Sequence, residues 1–205
     1  MPTYKLYYFD RRGRGEPIRM IFAQAGVAFE DRRIAKADWP ELKKDRDMLH
    51  IDDSTVIAQS RAIARLLGSR FGLAGSTDVE SAQMDAFGDA LEELVWATKF
   101  WVREAVWKQD VEAAAKAKKE MEEAGAAKRL LDAFERQIGS NPSGWLVGKN
   151  VGWVDFLVAE RLQLLQDKLD AEFLKGYPAL EQHIRKVYDL PNIKAYVAKR
   201  SDTRF

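Results

Sequence analysis

Tyr7 and Tyr8 stand near the end of an aromatic run, YKLYYF, that passes directly into DRRGRGEP. A phenol supplies an O–H donor and the three arginines supply positive charge. Two chemistries fit such a stretch: a basic loop receiving a phosphate or nucleic acid, or a hydroxyl delivered to another group by a strand end. The whole chain argues against the first. Its 33 basic and 32 acidic side chains leave a formal charge of +1, so no overall field draws it to a polyanion, and Arg11, Arg12 and Arg14 are a local feature. With no cysteine there is no disulfide, no thiolate metal site and no protein thiol nucleophile, so any sulfur chemistry must use a thiol brought by the substrate. His50 and His183 are the only histidines; they are expected at the surface or in packing, and no metal site is expected.

The elements that would position the two tyrosines read clearly. Residues 3 to 9 form a strand; Glu16-Pro17 opens a helix, with proline in the first turn where its missing N–H costs nothing, and Gly26 closes it. A strand around AFEDRRI, a polar loop with Trp39-Pro40, short strands near MLHI and TVIA, and a helix from Gln59-Ser60 complete a small α/β unit of thioredoxin type. GLAGST, residues 72 to 77, reads as a linker, placing a first domain at 1–74 and a second, all-helical, at 75–205. Thr77 and Glu80 form a capping box for a long helix with Met84, Phe87, Leu91, Leu94 and Val95 at helical spacing. Gly152, Asp155 and the pair Val151 and Phe156 suggest another capped helix start, and PALEQHIRKVYDLPNIKAYVAKR gives two last helices divided at Pro191. No apolar run approaches the roughly 20 residues of a membrane span, and no secretory leader is evident, so a cytoplasmic protein is expected. At 205 residues with 46% hydrophobic side chains, the chain can bury a substantial core.

YKLYYFDRRGRGE, ADWPELK, IAQSRAIARLLGSRFGLAG and GWLVGKNVGWVDFLVAE, followed by LPNIKAYVAKR, resemble the sigma-class glutathione transferases, including nematode members and the haematopoietic prostaglandin D synthases. The resemblance runs from end to end. It implies a thioredoxin-like N-terminal domain, an all-α C-terminal domain, a homodimer, and conjugation of glutathione, as co-substrate, to hydrophobic electrophiles, with no other cofactor. It selects Tyr8 over Tyr7, a choice the residues alone leave open, with Tyr7 fitting plain core packing better. Tyr8 would donate a hydrogen bond to the sulfur of bound glutathione, and Arg14 would favour the anion. Trp39 and Lys43 would hold the glycine carboxylate, and Gln59-Ser60 the γ-glutamyl carboxylate; Gln59-Ser60 also reads as a plain N-cap. Among Asp89, Glu92 and Glu93, which read equally as a solvated helix face, Glu93 is the choice to reach the partner's γ-glutamyl amine. Phe9, Phe100 and Trp101 would line the pocket for the second substrate, with Trp96 nearby.

The sequence also departs from the family pattern. Between Glu41 and Gln59 it is about four or more residues short, and the family's cis-proline segment is absent: no proline occurs from Glu41 to Gln59. Because Trp39, Lys43, Gln59 and Ser60 retain their family identities around it, residues missing near Met48-Leu49 are expected rather than a true deletion; a true deletion would weaken glutathione binding. Gly152 replaces a capping threonine, a mild change. Two alternatives accompany the enzyme: a non-catalytic ligand-binding or crystallin-like structural homologue, and a prostaglandin D synthase-type isomerase, whose pattern residues 96–101 do not reproduce.

Overall fold

The computed structural model describes residues 2–35, 37–38, 49–52 and 54–203. The chain forms two compact units: residues 1–73 together with 188–205, and residues 74–187.

In the first unit, β1 (Tyr4–Phe9) pairs in parallel with β2 (Glu30–Ile34) and antiparallel with β3 (Leu49–Ile51), which pairs antiparallel with β4 (Thr55–Ile57), giving the order β2-β1-β3-β4. The crossover from β1 to β2 is α1 (Glu16–Ala25), begun by Pro17 and ended by Gly26 at φ 65°, a left-handed position that suits glycine. The helix EPIRMIFAQA buries Ile18, Met20, Ile21 and Phe22. Phe22 meets Tyr4 with ring centroids 5.2 Å apart and stacks on Phe29 at 4.3 Å. Tyr4 and Leu6 are buried, so the even-numbered side of β1 faces the core, and Tyr8 continues that side at the strand end. Helix α2 (Ser60–Arg70) contributes Ile63, Ala64 and Leu67 to the same core.

The second unit is helical. Its long helix α3 (Asp78–Ala97) opens as expected, with Glu80 N–H donating to Thr77 Oγ1 at 3.1 Å. The reciprocal bond differs: the Glu80 carboxylate accepts from Ser76 N–H, at 2.6 Å, one residue before the cap. A short helix α4 (Lys99–Val102) runs into a π-helical turn, Arg103–Lys108, and is followed by α5 (Val111–Ala124) and α6 (Ala126–Ser140). Gly125, at φ 68°, divides α5 from α6. Helix α7 (Trp153–Lys168) is the centre of this unit, with eleven of its residues buried. It approaches α3 closely at Gly88, where an added Cβ would lie 2.8 Å from the Trp153 ring.

The start of α7 is held by one carboxylate. Asp155 accepts from Gly152 N–H at 2.7 Å and from Leu146 N–H at 2.9 Å, and its Oδ1 lies 2.8 Å from His183 Nε2 on α8 (Pro178–Tyr188). Gly152, having no side chain, returns a bond only through its backbone carbonyl, which accepts from the Asp155 N–H at 3.1 Å. The chain then bends at Pro191 into α9 (Pro191–Val197), which packs on α1 within the first unit; Asn192 Nδ2 donates to the Gln24 carbonyl at 3.0 Å. Among the described residues, no helix is long and apolar enough to cross a membrane, and no group of three metal-ligating side chains is gathered.

Candidate active site

Tyr8 leaves the core where the chain turns from β1 toward α1. Its ring lies against the glycines of the loop Asp10–Gly15: a Cβ added to Gly13 would stand 2.7 Å from the Tyr8 hydroxyl, and one added to Gly15 would stand 2.4 Å from the ring. Gly13 also adopts φ 43°, where a side chain is strained. The two glycines therefore form a slot that only a bare backbone leaves open. Within it, the Arg14 N–H donates to the Tyr8 hydroxyl at 2.9 Å. This is the one hydrogen bond Tyr8 makes among the described residues, and it is an accepted one, so the phenolic proton is left for a further acceptor. Accepting a bond also polarises the O–H and makes it a better donor. Tyr8 is partly exposed, as such a role requires.

Tyr7 points to the other side of the sheet, with its ring centroid 4.6 Å from that of His50. It is half-buried, and core packing in this strand falls instead on the Tyr8 side, through Tyr4 and Leu6. Around the slot stand cations: the Arg11 guanidinium is 5.8 Å from the Tyr8 ring centroid and 4.6 Å from that of Phe9, and Arg19 is 5.8 Å from that of Tyr8. Arg14 itself is exposed at the mouth.

At the start of α2, Gln59 has φ 70° and ψ 111°, a conformation costing about 1–3 kcal/mol for a residue with a side chain. Its side chain makes no cap bond, so it is exposed beside the N–H groups of the first helical turn, which favour an anion.

The chain matches the family model described as "Glutathione S-transferase, C-terminal domain" over residues 98–200. It is 39% identical to glutathione S-transferase 1 of Ascaris suum, each covered in full, and 37% identical to the hematopoietic prostaglandin D synthase of Gallus gallus, each covered to 99%. The crystal structure of the glutathione S-transferase from Ascaris lumbricoides superposes with a TM-score of 0.90 at 37% identity, over 99% of this chain and 100% of that one. The chain belongs to the glutathione S-transferase family. It is a sigma-class-like member, close to the nematode transferases and the haematopoietic prostaglandin D synthases over its full length, and it has the glutathione transferase fold.

For a glutathione transferase, the expected site residues fall into three groups. Tyr8, Arg14 and Phe9 gather at the end of β1, and Gln59 and Ser60 at the start of α2, in the first unit. Glu93, Phe100 and Trp101 belong to the second unit. Glu93 is exposed on α3; Phe100 is 54% exposed, with Arg103 stacked over it at 4.8 Å; Trp96 is 59% exposed beneath Lys99 at 4.3 Å. Trp101 is buried in the core of its own unit against Phe173, at 5.4 Å. Trp39, Lys43 and the short loop at Met48 lie outside the described residues.

Sequence reasoning missed Gly13 and Gly15 as parts of the site. The signal was present: two glycines flanking one arginine, just before a helix start, mark a backbone held close to something. They give a direct expectation. Gly15→Ala, at an ordinary φ of −82°, should leave the backbone unstrained yet push the Tyr8 ring from its slot. Conjugation should fall by about tenfold or more while circular dichroism stays unchanged; full activity in Gly15→Ala would contradict the slot.

Proposed function

We propose that the protein conjugates glutathione to hydrophobic electrophiles, with Tyr8 stabilising the thiolate. The observation that carries this reading is the Tyr8 hydroxyl, partly exposed, accepting from the Arg14 amide and keeping its own proton for an acceptor. A free thiol of pKa near ~8.5 is only about 3% thiolate at neutral pH; lowering it by ~2 units makes most of it thiolate, at ~1.4 kcal/mol per unit. A charge-assisted hydrogen bond in a site shaped in advance supplies much of that, and the cation of Arg14 adds to it. Holding the nucleophile and electrophile together supplies the rest of the rate.

In the same reading, Trp39 and Lys43 receive the glycine carboxylate of the tripeptide, a cation and an indole N–H being suited to it. Gln59, Ser60 and the N–H groups of the first turn of α2 receive the γ-glutamyl carboxylate. Of the aromatic residues expected there, Phe9 and Phe100 are exposed enough to serve the electrophile, an apolar molecule that aromatic walls accept, whereas Trp101 is buried against Phe173. Retention on a glutathione column together with turnover of chlorodinitrobenzene tests the reading. Retention without turnover would leave a binding protein, and neither would leave a structural homologue.

The protein acts as a homodimer in the cytoplasm, with α3 at the two-fold interface and Glu93, or its neighbours Asp89 and Glu92, near the partner's γ-glutamyl amine. Exposed Val79 and Trp96 on α3 are apolar surface for such an interface to cover. Sedimentation at micromolar concentration should give a dimer; a monomer alone would contradict it.

A further inference from the structure

Arg19 interrupts the apolar sequence IRMIF and is fully buried. Its Nη1 donates to Glu16 Oε2 at 3.1 Å and to the Arg11 carbonyl at 3.0 Å, and its Nε donates to both oxygens of Asp31, at 3.1 and 3.0 Å. Asp31 also accepts from Arg33, which pairs with Asp10 at 2.8 Å. The Arg11 carbonyl belongs to the loop that forms the Tyr8 slot, so Arg19 fastens that loop from the core side while its guanidinium faces the Tyr8 ring.

Glu16 completes the arrangement from the far end of the chain. It follows Gly15 directly, is 1% exposed, and its Oε1 accepts from the Tyr196 hydroxyl at 2.9 Å and from Arg200 Nη1 at 3.1 Å. Burial first, then the Glu16 charge, pushes the Tyr196 phenol well above its usual value, so toward Glu16 it acts as a donor at every working pH. A buried carboxylate that loses a donor must rotate or admit water, and Arg19, sharing it, moves with it.

We propose that Tyr196 and Arg200 are positioning residues for Tyr8: through Glu16 and Arg19 they fix the Asp10–Gly15 loop, so the α9 segment sets the strength of the hydrogen bond to the glutathione sulfur. This rests on the reading of Tyr8 as the thiolate donor. A donor displaced by half an ångström loses much of its effect, which a stability measurement alone would not register.

Tyr196→Phe keeps the ring and removes only the hydroxyl; Arg200→Gln is a second, independent cut. In each, kcat with chlorodinitrobenzene should fall about fivefold and the apparent pKa of bound glutathione, followed by thiolate ultraviolet absorbance, should rise by about 0.7 unit, the same fivefold in thiolate population. The KM for glutathione should change less than about twofold. In a Tyr8→Phe background, Tyr196→Phe should have no further effect. A lower Tm with kcat and titration unmoved in both variants would make the contacts merely structural and overturn the proposal, as would full additivity with Tyr8→Phe. If Tyr8→Phe alone leaves the titration unmoved, the Tyr8 reading fails and the inference with it; if only the Tyr196 and Arg200 variants leave it unmoved, the inference fails alone.

Discussion

Replacing Tyr8 by phenylalanine is expected to lower conjugation by roughly tenfold to 150-fold while glutathione affinity changes little. The substitution removes one hydrogen bond to a developing anion, worth about 1.5–3 kcal/mol, and leaves the contacts to both ends of the tripeptide. Because the bond strengthens as the thiolate forms, the loss should appear in kcat rather than in KM. Tyr7→Phe is the control, since its ring packs by His50 on the opposite side of the sheet. Steady-state kinetics of both variants decide it. Equal damage from the two, or an active Tyr8→Phe protein, would remove Tyr8 from its assigned role.

The largest expected effect on stability lies far from the chemistry. Asp155 is fully buried and serves Gly152 N–H, Leu146 N–H and His183 together. Asp155→Ala would strand two backbone donors and a ring nitrogen inside the helical unit, at about 3–5 kcal/mol. Thermal unfolding should show a midpoint lower by about 10 °C. Glu120→Ala, on an exposed pair with Lys116 on α5, should leave the midpoint nearly unchanged. A midpoint in Asp155→Ala equal to that of the native protein would mean that the start of α7 is held by packing alone.

The contrast between these two residues shows what the sequence discloses. Asp155 was legible as the N3 carboxylate of a helix start because capping is local: a few neighbouring residues fix its geometry. The strand of Tyr8, the helix after it and the stop at Gly26 were legible for the same reason. Which tyrosine faces the helix was not, because strand parity follows from the side on which α1 packs, a long-range fact that the motif supplied and alternation could not. Arg19 escaped notice because an arginine within an apolar run ordinarily reads as a surface side chain, and its partners Asp31 and Arg11 come together only through the parallel pairing of β1 with β2. Tyr196 and Arg200 are about 180 residues from Glu16 in sequence, and nothing local announces them. The π-helical turn at Arg103–Lys108 likewise has no sequence signal that we can name.

The central claim, that Tyr8 draws the glutathione thiol into its anionic form, is tested most directly by titrating the ultraviolet absorbance of glutathione bound to the native protein and to Tyr8→Phe. The native protein should show thiolate appearing about two pH units below the ~8.5 of a free thiol, and Tyr8→Phe should return the transition toward the free value. Superimposable titrations in the two proteins would contradict the account.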